Sequence, residues 1–176
     1  TGQSDGSVHN LPFSRNEGFR GREDDLRALE TSLGLGGESS GNAAAAASSS
    51  APAVAAVTQA SLSGLPGVGK TQLALEFAYR GLERGRITRV VWVDAEGDEH
   101  ELLGRFGRAG ERALGLPPLE ESADDGERAS RVRDALQKLR APALLVLDNV
   151  DDAAAFRSVV PKTGPCRTLI TTRDHT

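Results

Sequence analysis

The sequence predicts an α/β fold of three layers, a mostly parallel central sheet flanked by helices on both faces. Three observations predict it. Apolar runs of strand length alternate along the chain with patterns of helical period. A glycine-rich octapeptide at residues 64–71 stands between the first such run and a helical pattern. Two later runs each deliver an aspartate at their carboxyl end, Asp94 and Asp148, the edge at which open α/β sheets bind ligands.

Each element has its own warrant. Residues 1–18 are polar and irregular, an N-terminal arm containing Leu11-Pro12-Phe13. A helix over 23–33 opens with Glu23, Asp24 and Asp25, which suit the positive end of its dipole, and aligns Leu26, Leu29 and Leu33 as one stripe. Residues 34–52 hold an alanine run and a serine run flanked by Gly, Ser and Asn, and read as a surface insertion without chemistry. A strand over 57–62 follows. The helix after the octapeptide pairs Leu73 with Phe77 and Leu75 with Tyr79 at i, i+4 spacing. Residues 89–94 read as a buried strand and 99–114 as a helix with Leu102, Phe106 and Ala113 inward. Gly104, Gly107 and Gly110 count against that helix, and Pro117-Pro118 is expected to end it. Residues 126–140 form a cleaner helix, with Ala129, Val132, Leu136 and Leu139 on one face. After Pro142 come a strand over 143–148, a short helix over 152–160 stopping at Pro161, and a last strand over 167–172.

The octapeptide is Gly64-Leu65-Pro66-Gly67-Val68-Gly69-Lys70-Thr71, which fits the P-loop pattern of glycine, four residues, glycine, lysine, then serine or threonine. A chain of this length meets that pattern by chance in somewhat under ~1% of cases, so a stray glycine-rich turn is the poorer reading. Glycines let the backbone approach a phosphate closely, and the following helix presents its positive end to the anion. Lys70 would bridge the β- and γ-phosphates, and the Thr71 hydroxyl would ligate Mg²⁺. With Gln72 in the same turn, Gly64, Pro66, Gly67, Val68, Gly69, Lys70 and Thr71 are the phosphate-side candidates of a nucleoside-triphosphate site in a P-loop NTPase fold.

The second half of such a site is Leu144-Leu145-Val146-Leu147-Asp148, four apolar residues delivering one acid to a strand end about 78 residues after Lys70. That is the Walker B arrangement, in which the aspartate supports Mg²⁺. Asn149 follows, where many ATPases carry a second acid, so slow hydrolysis is expected. Asp151 and Asp152 either cap the next helix or position water. Arg173 either reads the γ-phosphate from the end of the last strand or is a solvated strand-end arginine.

Composition bounds the rest. The 176 residues suit one domain. A net charge of −4 and a pI near 5.4 give no global basic footprint, so nucleic acid is not an expected partner. The single cysteine, Cys166, leaves no internal disulfide, favours a reducing, cytoplasmic setting, and reads as a small apolar residue. His9, His100 and His175 show no metal-ligand spacing. No apolar run has the length of a membrane span. The chain begins at threonine and is expected to be a fragment.

Three segments together resemble one family. Phe19-Arg20-Gly21-Arg22-Glu23 resembles its Phe-Val-Gly-Arg-Glu motif, the octapeptide its P-loop, and 144–149 with Leu169-Ile170-Thr171-Thr172-Arg173 its Walker B and sensor strands. The chain is similar to the NB-ARC nucleotide-binding domain of the STAND class of signalling ATPases, which includes plant resistance proteins and apoptosome-forming activators. The likeness runs over 19–173 apart from the insertion, so the domain is taken as 19–176.

The resemblance implies an ATP/ADP switch with slow Mg²⁺-dependent hydrolysis that controls self-oligomerisation, in innate-immune-like or cell-death signalling. It implies downstream repeat or effector domains outside this chain, and helical and winged-helix subdomains beyond the sensor strand. It makes Phe19, Arg20, Gly21 and Arg22 candidates for the adenine and ribose side, and inclines Arg173 toward sensing the γ-phosphate. Lys70, Asp148 and Arg173 are thus the expected catalytic set, and Thr71 and Asp148 the metal pair. Arg20 departs from the family valine, and Asn149 from its frequent second acid. Two other readings stand beside the switch: a catalytically silent ADP-binding scaffold, and a P-loop small-molecule kinase with Arg105, Arg108 and Arg112 as its arginine lid.

Overall fold

The computed structural model describes residues 8–36, 59–62, 69–151 and 154–172. Its elements are β1 (Val8–His9), α1 (Glu23–Ser32), β2 (Gln59–Leu62), α2 (Lys70–Glu83), β3 (Arg89–Asp94), α3 (Glu99–Leu114), α4 (Asp125–Lys138), β4 (Ala143–Val150), a single 3₁₀ turn (Ala155–Ser158) and β5 (Cys166–Thr172). The five strands form one sheet in the order β1-β3-β4-β5-β2, and every pairing is parallel.

Parallel strands buried on both faces need apolar side chains on both, which explains the near-continuous runs. Alternation along each strand then splits the core in two. Val91, Val93, Leu145, Leu147 and Ile170 face α3 and α4, where Leu102, Phe106, Val132 and Leu136 meet them. Val90, Trp92, Leu144, Val146 and Leu169 face α1 and α2, where Leu26, Leu29, Leu33, Leu73 and Phe77 meet them. The result is the expected three layers. Most of these side chains are almost wholly buried, each worth about 1.5–3 kcal/mol of apolar transfer.

Four local expectations change. The arm is not wholly irregular: Val8–His9 pairs with Arg89 and Val90 of β3 as an edge strand. Asn10 prolongs that pairing through its side chain, donating from Nδ2 to the Trp92 carbonyl at 2.8 Å and accepting from the Trp92 N–H at 2.7 Å. The α3 helix ends at Leu114 as expected, but Gly115, with a left-handed φ of 63°, turns the chain there before the prolines are reached. The helix expected over 152–160 is only the 3₁₀ turn, headed by Ala154 without a side-chain cap; Asp152 lies outside the described residues.

The glycines of α3 are the fourth. Gly104, Gly107 and Gly110 repeat every three residues on the face toward α4, and α4 fills the space they leave. A Cβ on Gly110 would stand 2.1 Å from Val132 Cγ1, and one on Gly107 2.7 Å from Arg128 Cβ. Close helix packing outweighs the lower helix propensity. Capping secures both partners: Asp98 and Glu101 form a capping box on α3, and Asp124 accepts from the Glu127 N–H at 2.7 Å on α4.

Candidate functional site

Sheet order decides which residues meet. β5, the last of the described strands, lies between β2, which precedes the octapeptide, and β4, which carries Asp148. The helix after the octapeptide, α2, packs on the face where Asp148 and Thr171 also point, since both continue the alternation of Leu144, Val146 and Leu169. Four polar groups from three elements therefore converge at the carboxyl edge of the sheet.

Gly64, Pro66, Gly67 and Val68 lie outside the described residues, as does Arg173. From Gly69 onward the geometry is defined. Gly69 has φ 76°, a left-handed conformation that a side chain would strain, and it hands the chain into α2, which begins at Lys70. The first-turn N–H groups, which a helix does not pair internally, and the positive dipole end suit that terminus to an anion.

Lys70 Nζ donates to the Thr172 carbonyl at the end of β5, 2.6 Å away. The Thr71 hydroxyl lies 3.0 and 3.1 Å from the two carboxylate oxygens of Asp148, across 77 residues of sequence. Asp148 is 5% exposed. Thr171 closes its other side, donating from its hydroxyl to Oδ1 while accepting from the Asn149 N–H at 3.0 Å. Asn149 itself has φ 64°, and the β4–β5 register shifts between Leu147 and Val150. Asparagine tolerates that left-handed bulge position better than most residues.

A threonine hydroxyl beside a carboxylate is a hard-oxygen pair that fits Mg²⁺, which typically takes one or two protein ligands and fills the rest with water and substrate phosphate. No group of three or more His, Cys, Asp or Glu side chains that could hold a metal is present among the described residues. When bound, the ion would neutralise phosphate charge. The residues that would hold it are Thr71 and Asp148.

The arm segment reaches the same helix. Gly21 has φ 84°. Arg22, just ahead of α1, donates from Nε to Asp25 at 2.7 Å, and its Nη1 lies 3.8 Å from where a Cβ on Gly69 would sit. It is thereby brought to the foot of the octapeptide. Phe19 packs half-buried on the α2-side core, Arg20 is exposed and Gln72 half-buried in the first turn of α2.

Beside Phe19, a feature that motif reading missed joins the arm to α2. Glu76, 5% exposed, accepts from Arg15 at 2.9 and 3.1 Å and from Arg80 Nε at 2.7 Å, while Arg80 grips Glu23 of α1 with two bonds of 2.7 and 2.8 Å. Burial pushes the Glu76 carboxyl up, but the hydrogen bonds from Arg15 and Arg80 outweigh it and hold it below the usual carboxylate range. The only sequence signal was the i, i+4 spacing of Glu76 and Arg80. Cys166 is buried, and burial pushes its thiol up to about 12, so it is no nucleophile.

Residues 53–159, more than half of the chain, match the family model described as AAA domain. The regulatory protein AfsR of Streptomyces coelicolor is 35% identical over 123 residues, covering 64% of this chain and 11% of that protein. AfsR of Streptomyces griseus is 35% identical over 119 residues, covering 64% and 12%. The chain thus spans only a small part of the curated relatives it matches. Among solved structures, Cdc6p from Pyrobaculum aerophilum has a TM-score of 0.55 at 18% identity, over 93% of this chain and 41% of that one. The ORC2 protein of Aeropyrum pernix has 0.59 at 17%, over 93% and 44%. The ORC1 protein of Aeropyrum pernix, solved in complex with DNA, has 0.54 at 19%, over 94% and 42%. At these identities the likeness is one of fold.

Proposed function

The chain belongs to the AAA-domain family, and from that premise we propose that it is the adenine-nucleotide-binding switch of a longer regulatory protein, exchanging ADP for ATP and hydrolysing ATP slowly with Mg²⁺. The observation that carries the proposal is the Thr71–Asp148 contact, which joins the start of the P-loop helix to the acidic strand end. Lys70 beside the end of β5 puts a cation at the same edge, where phosphates would lie. In this reading Lys70 and the octapeptide glycines hold the phosphates, and Thr71 and Asp148 hold Mg²⁺. Arg22 and Phe19 approach the base and ribose, and Arg173 reads the γ-phosphate.

The regulatory part of the proposal draws on the AfsR relatives, which are regulatory proteins. Its NB-ARC form, with nucleotide state governing self-oligomerisation, rests on the three motif segments in their order. A small-molecule kinase is less well supported. Arg105 donates to the backbone carbonyls of Asp94 and Glu96, and Arg108 pairs with Asp125 at 3.3 Å, so two of the three arginines of its lid are engaged elsewhere. The test is to denature the purified chain, identify any released nucleotide by chromatography, and titrate ADP and ATP with and without Mg²⁺. Tight ADP and Mg²⁺-dependent ATP binding with slow turnover is the expected result. Absence of binding to either nucleotide overturns it, and binding with no turnover leaves the silent ADP scaffold.

A further inference from the structure

Asn149 occupies the position where a hydrolytic acid would follow Asp148, and its amide cannot serve as a carboxylate. The sheet brings another one there. Asp94, the last residue of β3, pairs in register with Asp148, so the two Cα atoms are about one strand spacing apart, ~4.8 Å. On β3, Val90 and Trp92 face the α2 side and Val91 and Val93 the opposite side. Alternation therefore turns Asp94 to the α2 face, the face of Asp148, Thr171, Lys70 and Thr71.

Several groups hold Asp94 there. Asn149 directs Nδ2 at Asp94 Oδ1, 3.5 Å away, and the Glu96 N–H donates to the same oxygen at 3.3 Å. Arg105 of α3 clamps the carbonyls of Asp94 and Glu96. Asp148 is committed to two hydroxyls, whereas Asp94 is exposed at the carboxyl end of β3. Carboxylate and amide have thus been divided between neighbouring strands, with the acid on β3 and the amide on β4.

We propose that Asp94 is the carboxylate that orients the attacking water in ATP hydrolysis and that Asn149 is the positioning residue that holds it. This rests on the reading of the site as one that hydrolyses ATP. The water oxygen, donating a hydrogen bond to Asp94, forms a bond to the γ-phosphorus. The bond from that phosphorus to the β,γ-bridging oxygen breaks, and its electron pair stays on ADP. One water proton remains on inorganic phosphate and the other passes to solvent.

The experiment compares the unaltered chain with Asp94→Asn, with the exchange variant Asp94→Asn/Asn149→Asp, and with Asp151→Asn. For each it measures Mg·ATP affinity by titration and hydrolysis in a single turnover. Asparagine is nearly isosteric with aspartate, and melting curves verify the fold. The expected result is a loss of hydrolysis of about a hundredfold or more in Asp94→Asn, within the ~10²–10⁴ attributable to a positioned acid–base group. Affinity stays within about threefold, since a water-orienting group contributes little to ground-state binding. The exchange variant recovers at least about tenfold, because it returns a carboxylate to the same edge, and Asp151→Asn retains hydrolysis. Equal hydrolysis by the unaltered chain and Asp94→Asn overturns the assignment while leaving the nucleotide site intact. So does an exchange variant no better than the single one, or loss in Asp151→Asn with none in Asp94→Asn. Failure of the unaltered chain to bind Mg·ATP removes the underlying reading instead.

Discussion

Asp148 is the residue on which the edge of the sheet turns. It is nearly buried, yet it receives the Thr71 and Thr171 hydroxyls, one from the helix above the sheet and one from the neighbouring strand. Removing its carboxylate should uncouple the metal from the phosphates. In Asp148→Ala, ATP affinity without Mg²⁺ stays within about threefold of the unaltered chain, and the gain on adding Mg²⁺, expected at about tenfold or more (~1.4 kcal/mol), disappears. Unchanged Mg²⁺ dependence in paired titrations would make Asp148 a strand-end residue only. Lys70→Ala removes the cation itself and should cost roughly 2–5 kcal/mol of triphosphate affinity, about thirtyfold at the least; equilibrium binding checks it.

At the scale of elements, two contacts decide stability against local propensity. The first is the α3–α4 interface. Glycine to alanine inside a helix ordinarily gains up to about 1 kcal/mol, but at Gly110 the added methyl would overlap Val132. Gly110→Ala should therefore destabilise the chain by about 1–3 kcal/mol, measured by urea unfolding. The second is the Arg15–Glu76–Arg80–Glu23 network tying the arm and α1 to α2. The Glu76 carboxyl is held below its ordinary value of 4.5. A carboxyl with a depressed folded value contributes stability that is complete above its unfolded value and lost as pH falls through the folded one. The unaltered chain should thus lose stability below about pH 4.5 more steeply than Glu76→Gln, a difference that melting curves between pH 3 and 6 would read.

Sequence reading did well where a signal is local and poorly where it depends on neighbours. β3 and α3 fall on their expected bounds, an uninterrupted apolar run marking the first and the helical spacing of Leu102, Phe106 and Ala113 the second. Lys70, Thr71 and Asp148 were candidates from spacing alone, and the fold brings the three to one edge of the sheet. Asp94 was read only as lying on the same sheet edge and Thr171 only as part of the last strand, since nothing in a one-dimensional pattern says that β5 and β3 both flank β4. Two residues of β1 carry no periodicity, and the α3 glycines look like weakness until α4 is seen against them. At the scale of the whole molecule, a ligand that binds only the folded state must raise its stability. At about a hundred times Kd the gain is ~2.7 kcal/mol, or roughly 5–11 °C in Tm for a domain of this size. Mg·ATP and ADP should each produce such a rise, and a flat thermal-shift titration with both would contradict the switch.

The position of β5 also bears on how the molecule is made. β2 is formed early in the chain, yet its pairing partner, Gln59 with Thr168 through Leu62 with Thr171, comes from the last strand. On the ribosome, where chains emerge amino end first, the octapeptide and its helix would wait for nearly all the rest of the chain before the strand beneath them found a neighbour. Pairings so distant in sequence are slow to close. A nascent chain halted before Cys166 would lack both the wall that receives Lys70 and the hydroxyl that closes on Asp148, so on the proposed reading nucleotide capture would report that β5 has been made.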